Sequence, residues 1–224
     1  MSDAPFRPHL GSDAPLPSPA GAHDAARFAR AIRAIDHANA ADPQSLEVAG
    51  ALLPKELLHA QLMSAWLERL DPAAQEPAHL AARAHHFRRW TRPRTDYPEG
   101  RSGYLRWRAA AKRAHAEEVG ELLAAEGYEE REIARVGQIV RKEGLGSDPV
   151  VQTHEDALCL VFLTTQLDDV AERLGDDQMV DILRRTIPKM SDRGLAAAGS
   201  LDLGPHGAEL LARASAAPED RSAT

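Results

Sequence analysis

"THEDALCLVFLTTQ", residues 153–166, is the stretch on which the fold class turns. Its centre, Ala157 to Leu163, is apolar on every side of a helical projection, whereas a surface helix would carry a polar stripe. Alternating strand patterns are nearly absent around it. The segment is therefore predicted to continue as one helix through "LDDVAERLG" to residue 175 and to lie at the centre of a helical bundle.

The rest of the chain supplies the surrounding helices. "HDAARFARAIRAIDHAN" (23–39) places Phe28, Ile32 and Ile35 on one stripe, with Asp24 as a cap. "PKELLHAQLMSAWLERL" (54–70) opens on a proline suited to a first turn and carries Leu58, Leu62 and Trp66. "HLAARAHHFRRWTRPR" (79–94) reads as a third helix ended by Pro93, and "TRPRTDYPEGRSG" (91–103) as a loop. A long helix is expected from about Tyr104 to Ala125, ending near Gly127. A fifth spans "EEREIARVGQIVRKEG" with Ile133, Val136 and Val140 inward. "DDQMVDILRRTIPKMSDRG" is a seventh, bent or broken at Pro188, and "PHGAELLARAS" a short last helix. The expectation is one all-α domain of about seven helices over residues 22–203. A disordered tail over 1–21 precedes it, and a short helix with a polar tail over 204–224 follows.

Composition narrows the function. The single cysteine, Cys159, excludes an internal disulfide framework and fits a reducing cytoplasm. No run approaches the roughly 18 apolar residues of a membrane span, so no membrane partner is expected. The net charge of −7 argues against a general nucleic-acid surface. The charge is uneven, however. Residues 83–113 hold ten Lys or Arg against Asp96 and Glu99, a balance of +8, so the remainder is −15. A basic island in an acidic chain points either to a local anion site, hence a small anionic substrate, or to a solvated arginine-rich face. Five of the ten aromatic residues share the island. Trp90 and Trp107 read best as loop anchors. Tyr97 and Tyr104 suit either that role or stacking on a planar ligand.

There is no phosphate-binding glycine loop, no cysteine pair for zinc and no nucleophile elbow. Histidine and carboxylate on helices remain. Glu56 and His59 are three apart and share a helix face. His85 and His86 are adjacent on the third helix, and His115 lies on an apolar stripe of the fourth. Glu155 and Asp156 begin the central apolar helix, where a desolvated carboxylate needs a metal, an arginine or a histidine. Histidine and carboxylate from several helices are a donor set for a divalent metal, and nearby arginines suit a phosphate.

The order His59, His85-His86, Asp156 resembles the H…HD…D arrangement of HD-domain phosphohydrolases, all-helical proteins that bind divalent metal; the defining pair reads His-His here. A closer resemblance covers most of the chain. "RFARAIRAIDHANAADP", "PKELL", "AARAHHFRRWTRPR", "YPEGRSGYLRWR", "AHAEE", "QTHEDALCLVFL" and "KMSDRG" are similar to the domain of unknown function 4202 family, regarded as HD-like. That resemblance favours His86, His115 and Asp156 as metal ligands over His59 and His85, with Glu155 or Glu56 as ligand or base. It also implies Arg83, Arg88, Arg94 and Arg101 as the anion-binding set. It implies a metal-dependent phosphohydrolase acting on a small phosphorylated or nucleotide substrate. The alternatives are a non-catalytic domain binding a nucleotide, RNA or protein partner, and a di-iron oxygenase on the same scaffold. "PKMSDRG" also resembles the KMSKS loop of class I synthetases, but with no nucleotide-binding sheet beside it the segment reads as a helix end.

Overall fold

The computed structural model describes residues 6, 8–11, 14–22, 24–48 and 50–216. The chain is mainly helical. In order along it stand α1 (Ala25–Asn39), a hairpin of β1 (Ser45–Val48) and β2 (Ala51–Pro54), α2 (Lys55–Leu70), α3 (Glu76–Arg83), α4 (Gly100–Ala125) and α5 (Glu130–Arg141). Then come α6 (Pro149–Thr165), α7 (Leu167–Leu174), α8 (Asp176–Thr186), α9 (Asp192–Ala198) and α10 (Gly204–Ser215).

Helix α6 occupies the central position expected of it. Asp148 caps it, accepting from the amides of Val150 and Val151, and Pro149 opens it. It packs against α2, α3, α5, α7 and α9. Two apolar clusters share the interior. One gathers Leu58, Leu62 and Trp66 of α2 with Leu160 and Leu163 of α6 and Leu183 of α8. The other gathers Phe28, Ile32 and Ile35 of α1 with Leu80 of α3, Val119 of α4 and Val136 of α5. Each such side chain, fully withdrawn from water, contributes roughly 1.5–3 kcal/mol. The two clusters meet along α6, so polar side chains on α2, α4 and α6 face one another in the interior.

Several elements differ from the reading of the sequence. The third helix stops at Arg83, ten residues before Pro93. Its C-cap, Ala84, leaves the helical region, and the chain passes through turns into a 3₁₀ segment at Arg89–Thr91. Arg88 stands in the left-handed region (φ 51°), its amide held by Asn39 Oδ1 at 3.1 Å. The sixth helix is two, α6 and α7, parted at Gln166 (φ −135°, ψ −9°). The seventh is broken as its proline suggested, into α8, a 3₁₀ turn at Ile187–Lys189, and α9. The hairpin at 45–54 was not anticipated; its turn is made at Gly50 (φ +80°). The described part of the N-terminal segment packs on the bundle. Phe6 stacks on Trp66 with ring centroids 3.7 Å apart, and Gly11 exchanges hydrogen bonds of 2.9 and 3.1 Å with Gln61. Residues 1–5, 7, 12 and 13 of the expected tail, and 217–224 of the C-terminal one, lie outside the described residues. Helix α10 buries Leu210 and Ala214 in the first cluster and so belongs to the same core. Among the described residues no helix is long and apolar enough to cross a membrane.

Candidate functional site

The early end of α3 sets the site. Had the helix continued, His85 and His86 would diverge by about 100°. In the turn their rings lie 4.2 Å apart, centroid to centroid, and both reach the interior. His86 faces α2. There Asp42 holds the amide of Glu56 at 3.1 Å and fixes the first turn, so that Glu56 and His59 present themselves one turn apart on the same face. Glu56 Oε2 lies 3.4 Å from His59 Nδ1 and 3.4 Å from His86 Nδ1. The three donor atoms fall within 4.8 Å of one another. Ligands at about 2.1 Å in a tetrahedral shell stand about 3.4 Å apart, so the two separations from Glu56 suit a divalent ion.

The proton inventory points the same way at His59. Thr165 Oγ1 gives its one hydrogen to Val161 O (2.8 Å) and therefore accepts from His59 Nε2 (3.3 Å). His59 Nδ1 faces the Glu56 carboxylate at 3.4 Å, a contact satisfied by a proton or a cation between them. An imidazole oriented by a hydrogen bond through its far nitrogen is the usual state of a metal-binding histidine. His115 is prepared similarly. Its Nδ1–H donates to Phe87 O at 2.8 Å, and its Nε2 is buried with no partner, the ring 6.1 Å from that of His86. Burial, reinforced by Arg89, pushes its pKa down to about 4, so it is neutral. His86 is held well below the ordinary histidine range by burial and then by Arg89, whose NH1 donates to His86 Nε2 at 2.7 Å.

Behind this group, His85 Nδ1 meets His154 Nε2 at 2.8 Å. Burial pushes His154 down to about 3, so the pair is uncharged. Glu155 is tied to Lys142, a left-handed residue (φ 60°) at the C-cap of α5. Burial opposes the carboxylate, yet the Lys142 ammonium holds Glu155 below its usual range.

The histidines open onto a cleft of about 670 Å³ lined by α4, α6, α7 and α8. His85, His86, His115 and Glu155 stand on its wall. So do Arg101, Arg108 and Lys112 of α4, Arg173 of α7, Arg185 of α8 and Lys189 just beyond it. None of these six cations has an ion-pair partner of its own among the described residues. Among the described residues the only carboxylate on the wall, Glu155, is committed to Lys142. Burial, together with repulsion from Lys142 and Arg108, lowers the Lys112 ammonium to about 8. Within a chain of net charge −7, this is a focused positive site of ligand size.

The structure redistributes the residues expected from sequence. Asp156 stands apart from the histidines. Its carboxylate accepts from Ser191 N (2.9 Å), Ser191 Oγ (2.5 Å) and Gln152 Nε2 (3.1 Å), which ties α6 to the start of α9. "KMSDRG" is thereby accounted for: Ser191 caps α9 and Lys189 reaches the cleft. His59, ranked below His115 and Asp156, joins Glu56 and His86, and Glu155 lies in the cleft rather than in that group. Of the four arginines, only Arg101 lines the cleft. Arg83 is buried against Asp36 at 2.6 and 2.7 Å, Arg88 approaches Glu118 at 3.6 Å, and Arg94 binds the carbonyls of Tyr97 and Pro98, both at 2.8 Å. Trp107 does anchor the loop, donating to Arg92 O at 2.9 Å. Sequence reasoning missed the contributions of Arg89, Arg108, Lys112, Lys142, Arg173, Arg185 and Lys189, which come from segments far apart in the chain. The one signal in reach was the lack of acidic residues at helical spacing beside Arg108 and Lys112.

Residues 29–211 match the model of the family described as "Domain of unknown function (DUF4202)". No match appears among the curated proteins or among the solved structures.

Proposed function

Since the chain belongs to the DUF4202 family, whose description leaves the activity open, we propose from the geometry of the site that it is a metal-dependent hydrolase of a small phosphorylated compound on an HD-like helical scaffold. The observation that carries the reading is the adjacency of two features. A three-donor group, Glu56, His59 and His86, sits beside a cleft holding six cations without an ion-pair partner among the described residues. Glu56, His59 and His86 would hold the divalent ion, with the bare Nε2 of His115 as a further donor. A divalent ion there would supply Lewis acidity, polarising a phosphoryl oxygen and making a water easier to deprotonate near neutral pH. The chain's own residues do the rest. Arg101, Arg108, Lys112 and Lys189 neutralise and orient the anionic group, and Arg173 and Arg185 extend the positive wall to a second one. Glu155, fixed by Lys142, is the carboxylate nearest to hand for moving a proton in the cleft. A single carboxylate in the donor group favours one metal over a pair of irons.

The second reading is an anion-binding domain without turnover, in which Arg89 occupies His86 permanently; the 2.7 Å contact between them favours it. Elemental analysis of protein purified without a histidine tag, after supplementation with metal in the presence of sulfate, separates the two. The hydrolase reading expects about one equivalent of metal, lost in Glu56→Gln and His86→Ala, together with metal-dependent phosphate release from a panel of phosphorylated small molecules. Less than about 0.1 equivalent, unchanged in His86→Ala, refutes it.

A further inference from the structure

Arg89 occupies a place that the metal reading leaves unexplained. Its guanidinium donates to His86 Nε2 at 2.7 Å and stacks over the Trp107 ring at 4.7 Å, with the indole pinned to Arg92 O. It also lines the cleft beside Arg101 and Arg108. It therefore touches both the donor group and the anion site. Guanidinium only donates, so His86 Nε2 is the acceptor and the ring's one hydrogen sits on Nδ1, facing Glu56 Oε2 at 3.4 Å. Nδ1 is the atom of His86 that faces Glu56, and so the one placed to bind an ion held by that carboxylate. For it to ligate, the hydrogen must move to Nε2, where it would point at the N–H of Arg89. The guanidinium charge, one hydrogen bond from the same ring, also repels a divalent ion.

Resting on the metal reading above, we infer that Arg89 is a latch that couples the two halves of the site: it blocks the metal position while the cleft is empty and leaves His86 when an oxyanion enters. The exchange is favourable in direction. A neutral ring nitrogen is a weaker acceptor than a phosphoryl or sulfuryl oxygen, which receives Arg89 in charge-assisted and bidentate form. Metal and anion consequently bind with positive cooperativity, each tightening the other by the same factor. The ion would be admitted fully only when substrate is present, so the chemistry it supplies would be available beside the substrate rather than in an empty cleft.

The test is Co²⁺ binding to the full chain without a histidine tag, followed by calorimetry and by the visible absorption of the bound ion. Titrations are run in saturating sulfate and in chloride of matched ionic strength. Sulfate is expected to tighten Co²⁺ by about tenfold in the unaltered protein. Arg89→Met, which keeps a stem over Trp107, is expected to bind Co²⁺ about tenfold tighter in chloride and to gain nothing from sulfate; Arg89→Ala must agree. If both variants show unaltered affinity in chloride, or keep the sulfate effect, the latch is overturned. If the unaltered protein binds no Co²⁺ even in sulfate, or His86→Ala binds it equally well, the metal reading falls and the latch with it. If His86→Ala loses Co²⁺ while the Arg89 variants match the unaltered protein, the latch alone fails.

Discussion

Replacing Arg83 separates an anion-binding arginine from a structural one. Arg83 is 2% exposed and gives Asp36 two hydrogen bonds at 2.6 and 2.7 Å, with a third to Ser64 Oγ at 3.3 Å. Two charge-assisted bonds contribute about 1.5–3 kcal/mol each. In Arg83→Met the stem is kept and the bonds are lost. The Asp36 carboxylate is left unpaired, but its side chain is 22% exposed, so water recovers part of the loss. A net cost of about 3 kcal/mol follows, at the lower end of the range for breaking a buried pair. In a chain of this length each kcal/mol lowers the melting temperature by about 2–4 °C, so the transition should fall by about 6–12 °C. Asp36→Leu combined with Arg83→Met should recover much of that loss, since no unpaired charge remains. Urea unfolding of the four proteins in the cycle gives the coupling, and sulfate affinity is measured well below the transition. A loss under about 1 kcal/mol with weakened sulfate binding in folded Arg83→Met would refute the structural assignment and return Arg83 to the anion site.

Further outcomes follow from the same contacts. A Cβ at Gly194 would lie 2.7 Å from Asp156 Cγ and Oδ1, and three hydrogen bonds hold that carboxylate in place. Gly194→Ala should therefore cost about 1–3 kcal/mol in urea unfolding, despite about 1 kcal/mol of helix propensity in its favour; a stabilised variant would contradict the packing at the start of α9. Arg108→Ala and Lys189→Ala should leave the melting temperature nearly unchanged while weakening sulfate binding and flattening its salt dependence, and unaltered affinity would remove the cleft from the proposal. With Lys112 at about 8, sulfate affinity should drop as pH rises through 8, and Lys112→Arg should abolish that drop; a drop that persists in the variant assigns it elsewhere. His115 and His154 stay neutral in the fold to about 4 and about 3, whereas unfolded histidine takes its proton near about 6.5. Below that value the unfolded state binds more protons, so stability should decline as pH falls from about 6.5 towards 4; a melting temperature flat across that interval would contradict their burial.

The sequence by itself fixed what periodicity and punctuation control. The all-helical class, the central place of residues 157–163, the stripe Phe28–Ile32–Ile35 and the break at Pro188 follow from local chemistry, because an apolar face at helical spacing has nowhere to go but a core. The basic island and the histidines also stood out as residue types. Which of them meet was decided by tertiary structure. The end of α3 at Arg83 is not marked by a proline or glycine, and it alone brings His85 and His86 inward together. Arg83 reads like any cleft arginine until Asp36, 47 positions away, takes it, and Asp156 reads like a ligand until Ser191 does. Pairing across such separations depends on how helices cross, and side-chain spacing within one helix carries no record of its neighbours.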